Sequence, residues 1–186
     1  MNRAGGNKFE SSVKCSMGGF KVRLARAEDS AEVAAIYNAG IDERTATFNT
    51  EHVSAEDRRE KITKGGHKHT VFVAEMRGGR IAGWSSISPY SPRSCYAGIG
   101  EVSIYVRSDC RGKGIGSALL QSLIDAGVRE GYWKLMGRIF VSNSISRKLC
   151  AGNGFREVGI HEKHGKLDGR WLDVVEVERL IPENLS

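Results

Sequence analysis

Residues 101–130 read EVSIYVRSDCRGKGIGSALLQSLIDAGVRE, and this stretch decides the fold. Apolar and polar side chains alternate over Glu101–Val106, which predicts a strand with two different faces. A glycine-rich loop, Arg111–Gly116, follows this strand. Apolar residues then recur at helical spacing over Gly114–Glu130, and Gly131 is a typical helix stop. The sequence therefore predicts a strand, a glycine-rich loop and a long helix in direct succession.

The glycine-rich loop is a candidate phosphate-binding site. The first N–H groups of a helix have no partner within the helix, and the helix dipole attracts anions to them. The loop fits neither G-x-x-x-x-G-K-[ST] nor G-x-G-x-x-G, because the glycines stand at other positions and residue 117 is Ser117. It fits R-x-x-G-x-G at Arg111, Gly114 and Gly116. A glycine-rich turn before a core helix is the structural alternative.

The rest of the chain predicts one mixed α/β domain over residues 20–186. The periodicity gives the order β-α-α-β-β-β-α-β-α-β-β, and helices that interrupt strands favour a mixed sheet. Residues 1–19 contain four glycines and few apolar side chains, so we expect a flexible extension. Near the C-terminus, strands are predicted at Phe155–Gly159 and Trp171–Leu180, with a polar loop at His161–Arg170 between them.

Composition argues against several other classes of protein. The chain has 186 residues, of which 40% are hydrophobic and 27% charged, as in ordinary globular domains. It has no apolar run of about 18 residues, so we expect no membrane span. The net charge is +6, but the basic residues are scattered, so no nucleic acid is expected as a partner. No C-x-x-C pair occurs, so we expect no metal site. The N-terminal residues do not resemble a secretory signal, so we expect a cytoplasmic protein.

Two motifs together resemble the GCN5-related N-acetyltransferases, the GNAT superfamily. The strand, R-x-x-G-x-G loop and helix are similar to its pyrophosphate-binding motif. Asn143–Ser146, followed by Leu149 and Gly154-Phe155, is similar to its second cofactor segment, N-x-x-[AS]-x-x-L-x-x-x-x-G-F. The resemblance covers about Val22–Leu180. It implies a mostly antiparallel sheet flanked by helices, a splay between the two central strands, and acetyl-CoA as co-substrate.

A narrower resemblance is to the phosphinothricin, methionine sulfoximine and arsinothricin acetyltransferases. It rests on Thr45–Phe48, Pro92-Arg93, Glu101–Val106 and Gly169–Asp173. This branch implies acetylation of the α-amine of a small glutamate-like molecule by a cytoplasmic homodimer. The chain departs from the branch at Leu167-Asp168, where Lys-Phe is usual. The accepted amine therefore stays open.

The resemblance also implies which residues hold acetyl-CoA. Backbone groups of the strand would bind the pantetheine arm, and those of the loop would bind the pyrophosphate. Asn143 would bind the amide-bearing arm, while Arg111 and Lys113 would add positive charge. The implied cofactor residues are Ile104, Tyr105, Val106, Arg111, Gly112, Lys113, Gly114, Ile115, Gly116, Ser117 and Asn143.

Glu101 is the predicted general base. A primary ammonium must lose a proton before it attacks a thioester, and a strand carboxylate that faces a cleft can accept that proton directly or through a water. The structural alternative is that Glu101 only pairs with a basic neighbour. Cys150 stands where the superfamily often has a Tyr or His acid, so no acid is assigned. The implied substrate contacts are Ser91, Pro92 and Arg93 in a loop, and Glu101, Val102 and Ser103 on the strand.

Two further functions stay open beside the acetylation of a small-molecule amine. An acetyltransferase for protein or peptide N-termini would use the same donor site. A non-catalytic sensor of acyl-CoA would keep the Arg111–Ser117 loop but would not need Glu101. The presence of Glu101 and the compact loop at Pro92-Arg93 favour the small-molecule enzyme.

Overall fold

The computed structural model describes residues 19–64 and 69–185, and its helices and strands follow the predicted order. The elements are β1 Phe20–Leu24, α1 Ser30–Asp42, α2 Ala55–Lys64, β2 Thr70–Met76, β3 Ile81–Pro89, β4 Ile99–Val106, α3 Ile115–Arg129, β5 Lys134–Phe140, α4 Ser144–Gly152, β6 Arg156–Leu167 and β7 Arg170–Leu180. The predicted extension, residues 1–19, lies outside the described residues except for Gly19. None of the helices described is long and apolar enough to cross a membrane.

The seven strands form one sheet in the order β1-β2-β3-β4-β5-β7-β6. All neighbouring strands are antiparallel except β4 and β5, which run parallel. These two strands pair only where Ile99–Glu101 meets Lys134–Met136 and are unpaired beyond that point. The prediction of a mixed, mostly antiparallel sheet with a splay between its central strands is confirmed.

The two faces of the sheet carry separate hydrophobic cores. α3 packs on one face, where Leu119 and Leu123 are fully buried. α1 contributes Ile41 to a second core on the other face. The alternation along β4 follows the prediction, because positions 102, 104 and 106 pack toward the α3 core while Tyr105 packs toward the α1 core. Positions 101, 103 and 105 therefore face the α1–α2 side.

The C-terminal hairpin differs from the prediction. β6 extends to Leu167 through the segment expected to be a polar loop, and the chain turns at Asp168-Gly169. β6 is an edge strand with almost all of its side chains exposed, so polar residues are tolerated and no apolar alternation marks it. Asp168 and Gly169 have positive φ angles of 47° and 78°, as a two-residue hairpin turn requires. The Asp-Gly pair was the sequence signal for this turn.

Candidate active site

A cavity of about 940 Å³ lies on the α1–α2 side of the sheet. β3 and β4 form its floor, and α2 and residues 46–49 contribute to its walls. His164 on β6 also lines it. This volume is within the range of small-molecule binding sites. The open face of β4 and the hairpin β6–β7 thus enclose a space large enough for a small acceptor.

Glu101 lines this cavity, and its side chain is 30% exposed. Arg138 on β5 donates twice to the same carboxylate oxygen, Oε1, from Nε at 3.2 Å and from Nη2 at 2.8 Å. The other oxygen, Oε2, has no hydrogen-bond partner among the residues described. The ion pair named above as the structural alternative therefore exists. It holds the carboxylate in place and leaves one oxygen able to accept a proton from a ligand.

The splay between β4 and β5 holds a second, smaller cavity of about 90 Å³. Val102–Tyr105 and Gly137–Phe140 line it from the two strands, and Asn143 and Cys150 close it from the α4 side. After Glu101, β4 has no ladder partner on its β5 side. An extended ligand arm can therefore pair with this free strand edge as a further strand would. Ile104, Tyr105 and Val106, which are predicted to bind the pantetheine arm, belong to this free edge, and their contact with it stays a prediction.

The glycine-rich loop presents a row of free backbone donors. Gly112 and Gly114 adopt left-handed conformations, with φ of 75° and 78°. Among the residues described, the amides of Gly112–Ser117 have no hydrogen-bond acceptor, and the first helical bond of α3 runs from the Ala118 N–H to the Gly114 carbonyl at 3.1 Å. No heavy atom lies within 4 Å of a Cβ built at Gly112 or Gly114. The loop thus fits a diphosphate group, which needs open, converging donors at a helix N-terminus.

Gly116 is small for a different reason. A Cβ at this position would lie 3.2 Å from Leu149 Cδ2, so it would face α4 and not the open side of the loop. Its backbone amide belongs to the row of free donors, whereas the missing side chain serves the packing of α3 on α4. The motif R-x-x-G-x-G therefore combines one glycine for ligand approach with one for helix packing.

The polar side chains predicted near the phosphates are bonded within the chain. Arg111 reaches the Glu43 carboxylate at 2.7 and 2.9 Å and donates to the Val106 carbonyl at 3.2 Å. Lys113 donates to the Asp109 carbonyl at 3.0 Å. Each cation thus has a partner within the chain, and each keeps further N–H groups beside the free backbone amides of the loop.

Asn143 caps α4 and ties it to the segment before α2. Its Oδ1 accepts from the Ser146 N–H at 3.0 Å, and its Nδ2 donates to the Thr45 carbonyl at 3.1 Å. The side chain lines the cavity in the splay. Its contact with a cofactor arm stays a prediction, and each of its two polar atoms can form one further hydrogen bond for it.

The predicted substrate residues separate into two groups. Val102 and Ser103 line the large cavity together with Glu101. Ser91–Arg93 lie in the β3–β4 loop and do not line it, and Arg93 is exposed with its guanidinium 5.6 Å from the Tyr96 ring centroid. Within one chain, the structure therefore does not bring Ser91–Arg93 to the cavity.

Cys150 is buried beside the splay and is 6% exposed. Burial raises the pKa of its thiol to about 11. Proton transfer from this thiol to a leaving thiolate of ordinary pKa, about 8.5, would run uphill. The geometry therefore favours a structural role for Cys150 and gives no support to its use as an acid.

Two arginines of the cavity were missed by the sequence reasoning. Arg138 pairs with Glu101 across a parallel strand, and only the register of β4 against β5 places the two on one face. Arg58 lies on a helix of mostly polar sequence yet is buried. No signal in the sequence marks it. Over residues 19–64 and 69–185, no group of three or more His, Cys, Asp or Glu side chains is arranged to hold a metal ion.

Comparison with known proteins identifies the family. The family model for the acetyltransferase (GNAT) domain matches residues 22–175. The chain belongs to the GNAT acetyltransferase family. This confirms the superfamily predicted from the two motifs.

Three similar proteins narrow the relationship. This acetyltransferase is 32% identical over 154 residues to the L-methionine sulfoximine/L-methionine sulfone acetyltransferase of Pseudomonas aeruginosa, covering 82% of this chain and 90% of that protein. A GNAT superfamily phosphinothricin acetyltransferase from Sinorhizobium meliloti, solved in complex with AcCoA, matches with a TM-score of 0.85 and 27% identity, over 90% of this chain and 91% of that one. A ribosomal-protein-alanine N-acetyltransferase from Brucella melitensis matches with a TM-score of 0.82 and 31% identity, over 86% of this chain and 99% of that one.

Proposed function

We propose that this acetyltransferase transfers the acetyl group of acetyl-CoA to the α-amine of a small amino acid or amino-acid-like toxin, of the phosphinothricin, methionine sulfoximine or arsinothricin type. One observation carries the proposal: Glu101 places a free carboxylate oxygen in a cavity of about 940 Å³ next to the splay. The matches to acetyltransferases named for phosphinothricin and methionine sulfoximine support it. Acetyl-CoA is the co-substrate.

The donor is held mainly by backbone groups of this chain. The free amides of Gly112–Ser117 bind its diphosphate, and the unpaired edge of Ile104–Val106 binds the pantetheine arm. The bound donor supplies an acyl group activated as a thioester. Because the splay opens directly after Glu101, this arrangement brings the reacting carbon toward the base.

The amine of the acceptor is activated by Glu101. Its Oε2 accepts a proton from the ammonium, directly or through a water. In a ternary complex the neutral amine attacks the acetyl carbon, so a C–N bond forms, the C–S bond breaks, and CoA leaves as the thiolate. The second proton of the amine passes to this thiolate or to solvent, which leaves the neutral amide. A backbone N–H on β4 polarises the carbonyl oxygen. No acid from the protein is needed, since a thiolate of ordinary pKa is a tolerable leaving group at neutral pH.

The partners belong to the same proposal. The narrower branch implies a cytoplasmic homodimer, and the relatives' names support a small-molecule amine as acceptor. Light scattering after size-exclusion chromatography tests the dimer, and a monomer at micromolar concentration would contradict it.

Acetylation of a protein N-terminus is the second candidate. The match to a ribosomal-protein-alanine N-acetyltransferase favours it over a non-catalytic sensor. The same donor site would serve both reactions, so only the acceptor discriminates between them.

A thiol-release screen with acetyl-CoA tests the proposal. The acceptors are phosphinothricin, methionine sulfoximine, the common amino acids and a peptide with a free N-terminus. We expect release with a small amino-acid-like acceptor and little with the peptide. Release with the peptide alone would favour the second candidate, and release with none of them would favour the sensor.

Glu101→Gln tests the assigned base. We expect turnover to fall about 10²- to 10⁴-fold, the usual contribution of a general base, while acetyl-CoA still binds. The matched control is Glu157→Gln, because Glu157 is another carboxylate paired with an arginine, Arg147, at 2.7 and 3.0 Å, and it does not line the large cavity. Unchanged turnover of Glu101→Gln at neutral pH would eliminate Glu101 as the base.

A further inference from the structure

Arg58 is a buried cation that the proposed reaction does not use. It lies on α2, is 8% exposed, and lines the large cavity. Its guanidinium carbon lies 4.0 Å from the ring centroid of Tyr37 and 5.3 Å from that of Trp84. Arginine is seldom buried in proteins unless an anion pairs with it. We therefore looked for an anionic group that pairs with Arg58.

No carboxylate of the described residues forms an ion pair with Arg58. Among the residues described, three carboxylates line the cavity, and each has another partner. Asp57 accepts a hydrogen bond from Ser54, Glu60 pairs with Lys64, and Glu101 pairs with Arg138. Arg58 Nε is buried without a hydrogen-bond acceptor, and so is Trp84 Nε1. Two buried donors at one end of the cavity thus lack acceptors.

The charges around Arg58 favour an anion. Lys61 also lines the cavity and has no ion-pair partner among the residues described. The pKa of His69 is lowered by burial and, after that, by the positive charges of Lys61 and Arg58. Burial lowers the pKa of Arg58 itself, while Tyr37 and, more weakly, the carboxylate of Asp57 act in the opposite direction. Unpaired positive charge in a partly dry site strengthens the attraction of an anion.

Aromatic rings fix the orientation of the guanidinium. Tyr105 packs against Tyr37 and Trp84, with ring centroids 5.0 Å apart in each pair. The guanidinium of Arg58 lies over the ring of Tyr37 at a distance typical of cation–π contacts. It also forms a hydrogen bond with Tyr37, and its remaining N–H groups can bind a planar or tetrahedral oxyanion. The rings therefore support a preorganised anion contact.

We propose that Arg58 binds a distal anionic group of the acceptor and so selects amines that carry a second carboxylate, a phosphinate or a similar oxyanion over neutral isosteres. This rests on the proposed function, because it takes the large cavity as the acceptor site. Arg58 and Glu101 line the same cavity. One acceptor can therefore place its amine at Glu101 and its anionic group toward Arg58.

The test measures binding of matched acceptor pairs to the enzyme saturated with CoA, by calorimetry. The pairs are phosphinothricin with methionine sulfoximine, and L-glutamate with L-glutamine, because each pair differs mainly in one anionic group. The variants are Arg58→Met, Arg58→Lys and Arg59→Met. Arg59 is the exposed neighbour on α2, so its loss removes the same charge outside the cavity.

We expect the wild-type protein to bind the anionic member of at least one pair about 10- to 100-fold more tightly, as one charge-assisted hydrogen bond allows. Arg58→Met is expected to abolish this preference, Arg58→Lys to retain part of it, and Arg59→Met to retain it fully. Unchanged acetyl-CoA affinity in Arg58→Met shows that the fold is kept. If that variant does not fold, a preference in Arg58→Lys equal to the wild-type value overturns the proposal.

The remaining outcomes separate this proposal from the proposed function. An equal preference in wild type and Arg58→Met, or no preference in the wild type, overturns the role of Arg58, even if thiol release shows that acceptors are acetylated. A preference lost in Arg58→Met, without thiol release for any acceptor, supports the anion site and refutes the proposed function. In turnover, we expect Arg58→Met to raise KM for the anionic acceptor and to leave kcat nearly unchanged.

Discussion

Replacing Gly114 by valine would obstruct the loop that we assign to the diphosphate of acetyl-CoA. A Cβ at this position would point into open space, in which no heavy atom lies within 4 Å. That space is the approach to the free amides of Gly112–Ser117. The loss of one charge-assisted hydrogen bond costs about 1.5–3 kcal/mol. We therefore expect the dissociation constant of acetyl-CoA to rise about 10- to 150-fold.

The same substitution also strains the backbone. Gly114 has a φ of 78°, and a side chain in this left-handed region costs about 1–2 kcal/mol. In a chain of this length, each kcal/mol lowers the melting temperature by about 2–4 °C. Loss of binding could therefore be confused with loss of stability, and a matched control is needed.

Gly131→Val is that control. Gly131 follows the other end of α3, has a φ of 77°, and is also surrounded by open space. The two variants should lose similar stability by thermal unfolding. Calorimetry with acetyl-CoA should then show weaker binding only for Gly114→Val. The reasoning is refuted if Gly114→Val binds as tightly as the wild type, or if Gly131→Val weakens binding to the same degree.

Two further predictions concern Cys150 and Glu178. Cys150→Ala should keep turnover within about threefold of the wild type and lower the free energy of unfolding by about 1 kcal/mol, as a small core truncation does; a loss of turnover beyond about 10²-fold, with acetyl-CoA still bound, would restore it as an acid. Glu178 is buried between Lys134 and Arg156, whose hydrogen bonds hold the pKa of its carboxyl below its ordinary value. Its stabilising effect should be complete above the ordinary pKa and should vanish as the pH falls through the lower folded-state pKa. Unfolding by urea at several pH values should therefore show Glu178→Gln less stable than the wild type at pH 7 and similar to it in strong acid; a pH-independent difference would contradict this.

Local sequence patterns were sufficient for most of the fold. The period of two over Glu101–Val106 is strong because its apolar positions 102, 104 and 106 pack together against the α3 core, and the helical period after Gly114 is strong because α3 has one buried face. The full length of β6 was not predicted, because an edge strand with exposed side chains has no buried face to set a period. The separation of β4 and β5 came from the family resemblance, and no local pattern encodes it.

The sequence predicted the loop of free backbone amides, but it did not predict which side chains pair with one another around the site. The free amides lie where the glycines placed them, since a helix start leaves them without partners wherever it occurs. Arg111 instead pairs with Glu43, which is 68 residues away in the chain. The burial of Arg58 depends on the packing of α2 over Tyr37. Such contacts arise from tertiary packing, so periodicity and spacing cannot reveal them.

The assignment of the Gly112–Ser117 amides to the diphosphate of the donor is the central claim, and an NMR titration tests it most directly. ¹⁵N-labelled protein would be titrated in parallel with CoA and with pantetheine, which lacks the diphosphate and nucleotide. We predict that CoA shifts the amide resonances of Gly112–Ser117 strongly and that pantetheine leaves them in place. Amide resonances of these residues that do not respond to saturating CoA would contradict the account.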